Sequence, residues 1–152
     1  MANTSKGYNM NKSLIFVMVL TFFGTIFLQA ANAADMTIEM LNKRDDGAKM
    51  VYGTDIARVE VGTTITWIPT SKGHNVEFIA GPDGWDMPKK SKNGKEVSIT
   101  FDQPGVYLYQ CTPHKTMGMI ALVVVGDGDN DVSGAKVRGK SKKKLEELLE
   151  AL

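Results

Sequence analysis

Short apolar segments separated by polar turns run through most of the chain after residue 33. Segment 97–101 (Val-Ser-Ile-Thr-Phe) alternates apolar and polar side chains with period two, as in a strand that faces a core on one side. Turn residues such as Asp-Gln-Pro-Gly at 102–105 separate the segments. About seven to eight such strands at close spacing predict an all-β Greek-key sandwich. The predicted strands are 37–41, 50–52, 58–61, 63–68, 75–79, 97–101, 106–110 and 119–125.

The aromatic residues of these strands and turns suggest how the core is filled. Tyr107 and Tyr109 alternate with Val106 and Leu108. If only one face of this strand is buried, one pair faces the core and the other faces solvent. Four more aromatic residues are expected to pack in the core or at its rim: Trp67, Phe78, Trp85 and Phe101.

The composition changes after Val125. Segment 126–131 (Gly-Asp-Gly-Asp-Asn-Asp) predicts a flexible acidic linker, because it lacks the terminal Glu and the regular spacing of a calcium loop. Ser141 is a plausible N-cap, and the leucines after it repeat at helical spacing, which predicts a C-terminal α-helix packed on the sandwich. The leucines are Leu145, Leu148, Leu149 and Leu152. The lysines at the helix start are expected to form a solvated face: Lys140, Lys142, Lys143 and Lys144.

The first residues have the pattern of a secretory signal peptide. Lys6 and Lys12 precede an uncharged, mostly apolar run over 14–28, and Ala-Asn-Ala at 31–33 is a small-x-small cleavage site. The run is short for a membrane-spanning helix, which needs about 20 apolar residues; an uncleaved anchor is the alternative. Export to the periplasm, cleavage near Ala33 and no later membrane attachment are expected. The predicted divisions are a signal peptide (1–33), a sandwich (34–126), and a linker with its helix (127–152).

Charge and cysteine content narrow the function. The net charge of +1 gives no case for nucleic-acid binding by bulk charge. The single cysteine excludes a disulfide within the chain, although an exported protein could form one. A free thiol in an oxidising compartment is better explained if a metal holds it as thiolate.

The only cysteine and the only two histidines of the chain fall into one pattern. Cys111, His114 and Met119 share a short segment, and His74 lies well upstream. A thiolate, two imidazoles and a thioether suit a one-electron copper site, whereas a hard metal would need carboxylates. Taken singly, each residue could be a buried thiol, a core histidine or a core methionine. Their joint occurrence favours a metal site.

The spacing indicates how such a site could be assembled. One tight loop between two strands can bring Cys111, His114 and Met119 to one point, while His74 comes from another strand. Pro113 stiffens that loop, and Gly118 permits a turn or a close backbone approach. A site built from two segments is held by the fold, which can keep its geometry fixed as the metal changes charge.

Three stretches resemble the pseudoazurins, type 1 blue copper proteins of the cupredoxin family. They are 67–77 (Trp-Ile-Pro-Thr-Ser-Lys-Gly-His-Asn-Val-Glu), 111–119 (Cys-Thr-Pro-His-Lys-Thr-Met-Gly-Met) and 40–43 (Met-Leu-Asn-Lys). The resemblance covers essentially the whole chain after the signal peptide. Plastocyanins share the ligand spacing but end soon after the last strand, so the residues after 125 favour the pseudoazurins.

The resemblance implies one copper ion per chain, with His74, Cys111 and His114 as equatorial ligands and Met119 as a long axial ligand. It implies that Asn75 ties the two ligand segments together and hydrogen-bonds the thiolate sulfur. The function it implies is electron transfer by a periplasmic monomer, not catalysis. Such carriers often supply a copper nitrite reductase or a nitrous oxide reductase.

The resemblance also implies that redox partners dock near His114 through lysines such as Lys43, Lys72 and Lys115. Lys89, Lys90 and Lys92 are candidates for the same surface. Two residues depart from the family pattern: Lys115 stands where an aromatic is often found, and Gln110 where a lysine is common. Alternatives are a plastocyanin-like carrier with another partner and a copper-binding protein without redox exchange. A copper enzyme would need an open coordination position or further copper ligands.

Overall fold

The computed structural model describes residues 34–152, so the predicted signal peptide lies outside the described residues. Within that range the chain forms eight strands and one α-helix, and the predicted all-β sandwich with a C-terminal helix is confirmed. The strands are β1 (Met36–Lys43), β2 (Lys49–Tyr52), β3 (Ile56–Val59), β4 (Thr63–Ile68), β5 (Glu77–Ala80), β6 (Val97–Phe101), β7 (Gly105–Gln110) and β8 (Ile120–Val125). The helix is α1 (Ser141–Glu150), and a short 3₁₀ helix spans Thr112–His114.

The strands form two four-stranded sheets. The first has the order β2-β1-β4-β6, and the second has the order β3-β8-β7-β5. Two pairs are parallel, β1 with β4 and β3 with β8, and the other pairs are antiparallel. The copper-ligand segment predicted from the sequence joins β7 to β8, which are neighbours in the second sheet. Among the described residues, no helix is long and apolar enough to span a bilayer.

Strands buried on one face match the sequence pattern best. In β4, Thr63, Ile65 and Trp67 are buried, and the side chains between them are more exposed. The bounds of β4 and β6 are those predicted. Strand β3 lies two residues earlier than predicted, because Gly62, at φ 88°, closes a turn in which Thr63 N–H donates to Glu60 O at 3.2 Å. Residues 60 and 61 therefore belong to that turn.

The space between the sheets is filled mainly by aromatic side chains. Trp67 is fully buried, and its ring lies 5.3 Å from that of Tyr109 and 5.8 Å from that of Phe78 (centroid distances). Trp85 packs edge-on against Phe78 at 5.2 Å from the rim of this core. The prediction of core and rim packing for these residues is confirmed. We call this group the aromatic core; its buried members include Ile38, Met40, Tyr52, Ile65, Trp67, Phe78, Phe101, Tyr107, Tyr109, Cys111 and Met119.

The prediction that one pair of side chains on β7 faces solvent is wrong. All six residues of β7 are buried, because α1 and the chain before it cover the outer face of the second sheet. Val106 and Leu108 pack there against Leu145 and Leu148 of the helix. We call this second group the aliphatic core; its buried members are Val106, Leu108, Ile120, Leu122, Val132, Leu145 and Leu148.

The linker after β8 is tied to the sandwich. Asn130 binds the backbone of Val106 twice: its Oδ1 accepts from Val106 N–H at 2.6 Å, and its Nδ2 donates to Val106 O at 2.9 Å. Gly128 packs against the backbone of Gly105 with no room for a side chain. Residues 128 and 130 of the predicted linker therefore contact β7, and the flexibility of the linker stays a prediction.

The helix start also differs from the prediction. Lys140 is the residue that precedes the helix, and no side chain caps the first turn. Ser141 is the first helical residue, fully buried, and its hydroxyl donates instead to Lys115 O at 2.8 Å. Among the lysines expected on a solvated face, Lys144 forms a partly buried ion pair with Asp55 at 2.7 Å. At the far end, Leu152 lies beyond the helix and is 47% exposed.

Candidate metal centre

The second sheet and the loops at one of its ends bring three of the predicted ligands together. Cys111 follows β7 directly, His114 ends the 3₁₀ helix, and His74 lies just before β5. The ligand loop, defined as 111–119, is closed where Cys111 N–H donates to Met119 O at 3.0 Å. Within it, His114 N–H donates to Cys111 O at 3.0 Å. Pro113 occupies the first turn of the 3₁₀ helix, where a missing N–H costs little.

The three side chains form a compact triangle of donor atoms. Nδ1 of His74 and Nδ1 of His114 are 3.1 Å apart, and Cys111 Sγ lies 3.7 Å from the first and 3.4 Å from the second. The point equidistant from these atoms is about 2 Å from each, close to metal–nitrogen and metal–sulfur bond lengths. These residues are the one metal-type cluster of His, Cys and carboxylate groups found within 34–152. The donor set and its spacing fit copper.

Burial shifts the pKa values of two side chains in this cluster, His74 and Cys111. His74 and Cys111 are fully buried, and His114 is partly exposed. Burial, and then the neighbouring His114, lower the pKa of His74, which favours the neutral imidazole that binds metals. Burial raises the pKa of the Cys111 thiol, although backbone N–H groups of Asn75 and His114 act in the opposite direction. A cation between the side chains would stabilise the thiolate that burial disfavours.

Asn42 orients the first histidine, a role that the sequence reasoning missed. Its Oδ1 lies 2.9 Å from Nε2 of His74. An amide oxygen only accepts, so the ring proton is on Nε2 and the lone pair of Nδ1 faces the centre of the triangle. The available signal was the position of Asn42 in segment 40–43, one of the three stretches with family resemblance.

Asn75 joins the two segments that carry the ligands, as predicted. Its Oδ1 accepts from Thr112 N–H at 2.8 Å, and its Nδ2 donates to Thr112 Oγ1 at 3.0 Å. Its backbone N–H favours the thiolate form of Cys111. The same residue therefore fixes the distance between the segments and the polarity around the sulfur.

Gln110 takes part in a further polar contact beside the cysteine. Its Nε2 donates to Glu77 Oε2 at 2.9 Å, and Thr112 Oγ1 donates to the same oxygen at 2.9 Å. The carboxylate thus links β5, β7 and the ligand loop. The sequence marked Gln110 as a departure from the family pattern but gave no indication of its partner.

The two methionines of the loop lie in different environments. Met119 is fully buried in the aromatic core, and its backbone oxygen closes the ligand loop. Met117 is 49% exposed. This difference suits the expectation that Met119 and not Met117 is the axial ligand, and that assignment stays a prediction.

Comparison with known proteins gives a consistent family. The model of copper-binding proteins of the plastocyanin/azurin family matches residues 38–126. A putative pseudoazurin of Rhizobium leguminosarum bv. viciae is 45% identical over 108 residues, 69% of each chain. The pseudoazurin of Methylorubrum extorquens is 42% identical over 127 residues, 82% of this chain and 84% of the relative. The crystal structure of native pseudoazurin from Hyphomicrobium denitrificans superposes with a TM-score of 0.72 at 35% identity, covering 78% of this chain and 98% of the other.

These matches agree with the site geometry. Pseudoazurins are copper-containing electron carriers and not enzymes. The three clustered side chains are consistent with one type 1 copper ion per chain. The chain therefore belongs to the plastocyanin/azurin family of copper-binding proteins, and within it to the pseudoazurin cupredoxins.

Proposed function

We propose that this chain is a periplasmic electron carrier whose copper is held by His74, Cys111, His114 and, axially, Met119. The observation that carries the proposal is the convergence of Nδ1, Nδ1 and Sγ on one point, with separations of 3.1–3.7 Å. Family membership supports a small monomeric carrier with transient partners. The signal-peptide pattern predicted over 1–33 supports export, and the proposed periplasmic location rests on that pattern.

The surrounding residues suit a carrier because they restrict movement of the ligands. Bound copper would supply one-electron exchange between Cu(II) and Cu(I). Asn42 fixes the ring of His74, and Asn75 fixes the distance between the two ligand segments. Because the surroundings hold these side chains in place, electron transfer would require little rearrangement.

His114 is the most plausible route for the electron. Of the three clustered side chains, it alone is partly exposed. A partner that covers this imidazole edge would come closer to the copper than from any side lined by His74 or Cys111, which are fully buried.

Lysines next to the ligand segments in the sequence are the residues expected to dock an acidic partner. Lys43 follows Asn42, Lys115 follows His114, and Lys72 precedes His74 by two residues. Lys90 and Lys92 line a surface cavity together with Pro113 of the ligand loop. Positive charge here would speed and orient encounters with an acidic surface, and salt would weaken the effect. A copper nitrite reductase or a nitrous oxide reductase is the partner class that the family resemblance suggests; a plastocyanin-like carrier with another partner is the alternative.

Visible absorption tests the ligand set. We expect the Cu(II) protein to show an intense thiolate-to-copper band at roughly 600 nm that bleaches with ascorbate and returns on oxidation. Cys111→Ser should lose the band, and Met119→Leu should keep it but change the reduction potential. A folded, copper-loaded protein without the band would overturn the proposal. A copper band with very slow electron exchange would instead favour the non-redox copper-binding function.

The docking surface has a separate test. Lys115→Glu should lower the bimolecular electron-transfer rate with a copper nitrite reductase at low salt, because it reverses the charge beside His114. The copper absorption should be unchanged. Lys136→Glu is the matched control, because Lys136 is an exposed lysine on the helix side of the molecule. Equal rates for both variants would remove the docking role from Lys115.

A further inference from the structure

The start of the C-terminal helix contacts the ligand loop directly. The hydroxyl of Ser141 donates to Lys115 O at 2.8 Å, and Lys140 N–H donates to Thr116 O at 2.9 Å. Both carbonyls lie between His114 and Met119. The loop's own hydrogen bonds use other groups; for example, Met117 N–H donates to His114 O at 2.9 Å. The tail therefore satisfies two consecutive carbonyls in the segment that joins two proposed ligands.

The approach of the tail to the loop is close. Gly139 has a φ of 59°, and a Cβ there would lie 2.5 Å from Thr116 O. The residue must lack a side chain for the backbones to come this near. Ser141 is fully buried, so water is not available to replace its hydroxyl without rearrangement.

The helix that presents Ser141 is itself fixed at several points. Lys144 forms an ion pair with Asp55 at 2.7 Å, and Leu145 and Leu148 are buried in the aliphatic core. Beyond the helix, Arg58 donates to Ala151 O at 3.2 Å. A support held at both ends can restrict the movement of what it touches.

From these contacts we infer that Ser141 is a positioning residue for the copper site. Its hydroxyl and the Lys140 N–H hold the segment between His114 and Met119, and through it the distance between those two side chains. The inference rests on the proposed function for the ligand roles of His114 and Met119. The contacts with the loop carbonyls stand independently of it. A purely structural anchor would lower the stability of the tail without changing the electronic properties of the copper.

The first test uses the copper-free protein. Amide hydrogen exchange in Ser141→Ala should be roughly tenfold faster at Met117 and Ile120 than in the wild type. This corresponds to about 1.4 kcal/mol, within the range for a lost hydrogen bond that leaves a buried carbonyl unpaired. Ser133→Ala is the matched control, because Ser133 lies in the same tail and its hydroxyl bonds only to Asp131 in the described structure. Amides of β8 beyond Ile120 should keep wild-type protection in both variants.

The second test uses the copper-loaded protein. In Ser141→Ala we expect a shifted thiolate-to-copper absorption band, a shifted reduction potential and copper release about tenfold faster. Ser133→Ala should match the wild type in all three. Gly139→Ala is a second variant, which keeps the Ser141 hydroxyl but pushes Thr116 away. Gly139→Ala should change the same three properties in a folded protein. It replaces Ser141→Ala as the test if that variant does not fold.

The outcomes separate the two proposals. Unchanged loop exchange in the copper-free Ser141→Ala protein would overturn the positioning role, whatever metal the site binds. Faster amide exchange in the loop with an unchanged reduction potential and absorption spectrum would show that Ser141 is only a structural anchor. That result would also overturn the positioning role. Failure of the wild-type protein to show a thiolate–copper band would reject the proposed function, whereas the exchange result would still report on the loop.

Discussion

The two cores lie on opposite faces of the second sheet and differ in composition. The aromatic core joins the two sheets through residues such as Trp67, Phe78 and Tyr109, whose rings meet mostly at tilted or edge-on angles. The aliphatic core joins the same sheet to α1 through side chains such as Leu108 and Leu148. Strands β7 and β8 belong to both and are buried throughout.

The two cores approach the ligand loop from different sides. Cys111 and Met119 are members of the aromatic core, so the side chains of the loop continue the packing between the sheets. On the other side, Ser141 at the start of α1 binds the loop backbone at Lys115. One core thus holds the side chains of Cys111 and Met119, and the helix packed on the other core supports the loop backbone between His114 and Met119.

Removal of copper should have a large effect and should act mainly at the loop. Copper at a thousand times its Kd stabilises the folded state by about 4 kcal/mol, so copper-free protein should unfold at lower urea concentration. Amide exchange should rise most at Cys111 and Met117 and least in α1. An equal rise in both regions would mean that the copper stabilises the whole molecule and not the loop in particular.

Trp67→Ala tests the aromatic core. The fully buried indole contacts three other rings, and its loss should reduce the free energy of unfolding by about 3–5 kcal/mol. Urea unfolding of the copper-free protein measures this without the contribution of the metal. Trp85→Ala, which removes the same side chain at the partly exposed rim, should cost clearly less. Equal losses would contradict the assignment of Trp67 to the centre of the core.

Leu148→Ala tests the aliphatic core. The side chain is 2% exposed, and its truncation should reduce the free energy of unfolding by about 2–4 kcal/mol. Leu152→Ala is the control, because Leu152 is 47% exposed and should change stability by less than about 0.5 kcal/mol. Combined with Trp67→Ala, the Leu148 effect should be additive, since the two residues lie on opposite faces of the sheet. A large departure from additivity would show that β7 and β8 transmit the loss of packing from one core to the other.

Asp55 gives the smallest expected effect, and it depends on pH. Burial raises the pKa of Asp55, but hydrogen bonds from Arg44 and Lys144 outweigh it and leave the pKa below its ordinary value. A carboxylate whose pKa is lower in the folded state stabilises that state at pH values above its unfolded-state pKa. This contribution disappears as the pH falls through the folded-state pKa. Asp55→Asn should therefore cost about 1 kcal/mol at pH 7 and progressively less below about pH 4, as measured by urea unfolding. A cost independent of pH would exclude the ion pairs as its cause.

The sequence predicted some elements well for physical reasons. Strands β4 and β6 were placed to the residue because their side chains alternate between a buried and a more exposed face. Ligand-type residues were found because thiol and imidazole groups are rare in this chain. Their convergence into one triangle could be expected only from the family resemblance and from loop spacing.

Other features depend on contacts between distant segments and left little trace in the sequence. The two-sided burial of β7 follows from the covering helix, so alternation along that strand was misleading. Ser141 has the residue type of an N-cap, but its hydroxyl bonds a loop 26 residues away. Asn42 orients His74 across 32 residues, and no local pattern in strand β1 distinguishes it from any other exposed strand residue.

The contacts between the tail and the ligand loop also limit protein engineering. A loop with one residue inserted or deleted between His114 and Met119 would move the carbonyls of Lys115 and Thr116 out of register with Ser141 and Lys140. Transplanting a ligand loop of a different length would leave the hydroxyl of Ser141 without its acceptor, Lys115 O. Loop and tail should therefore be exchanged together, as a single module.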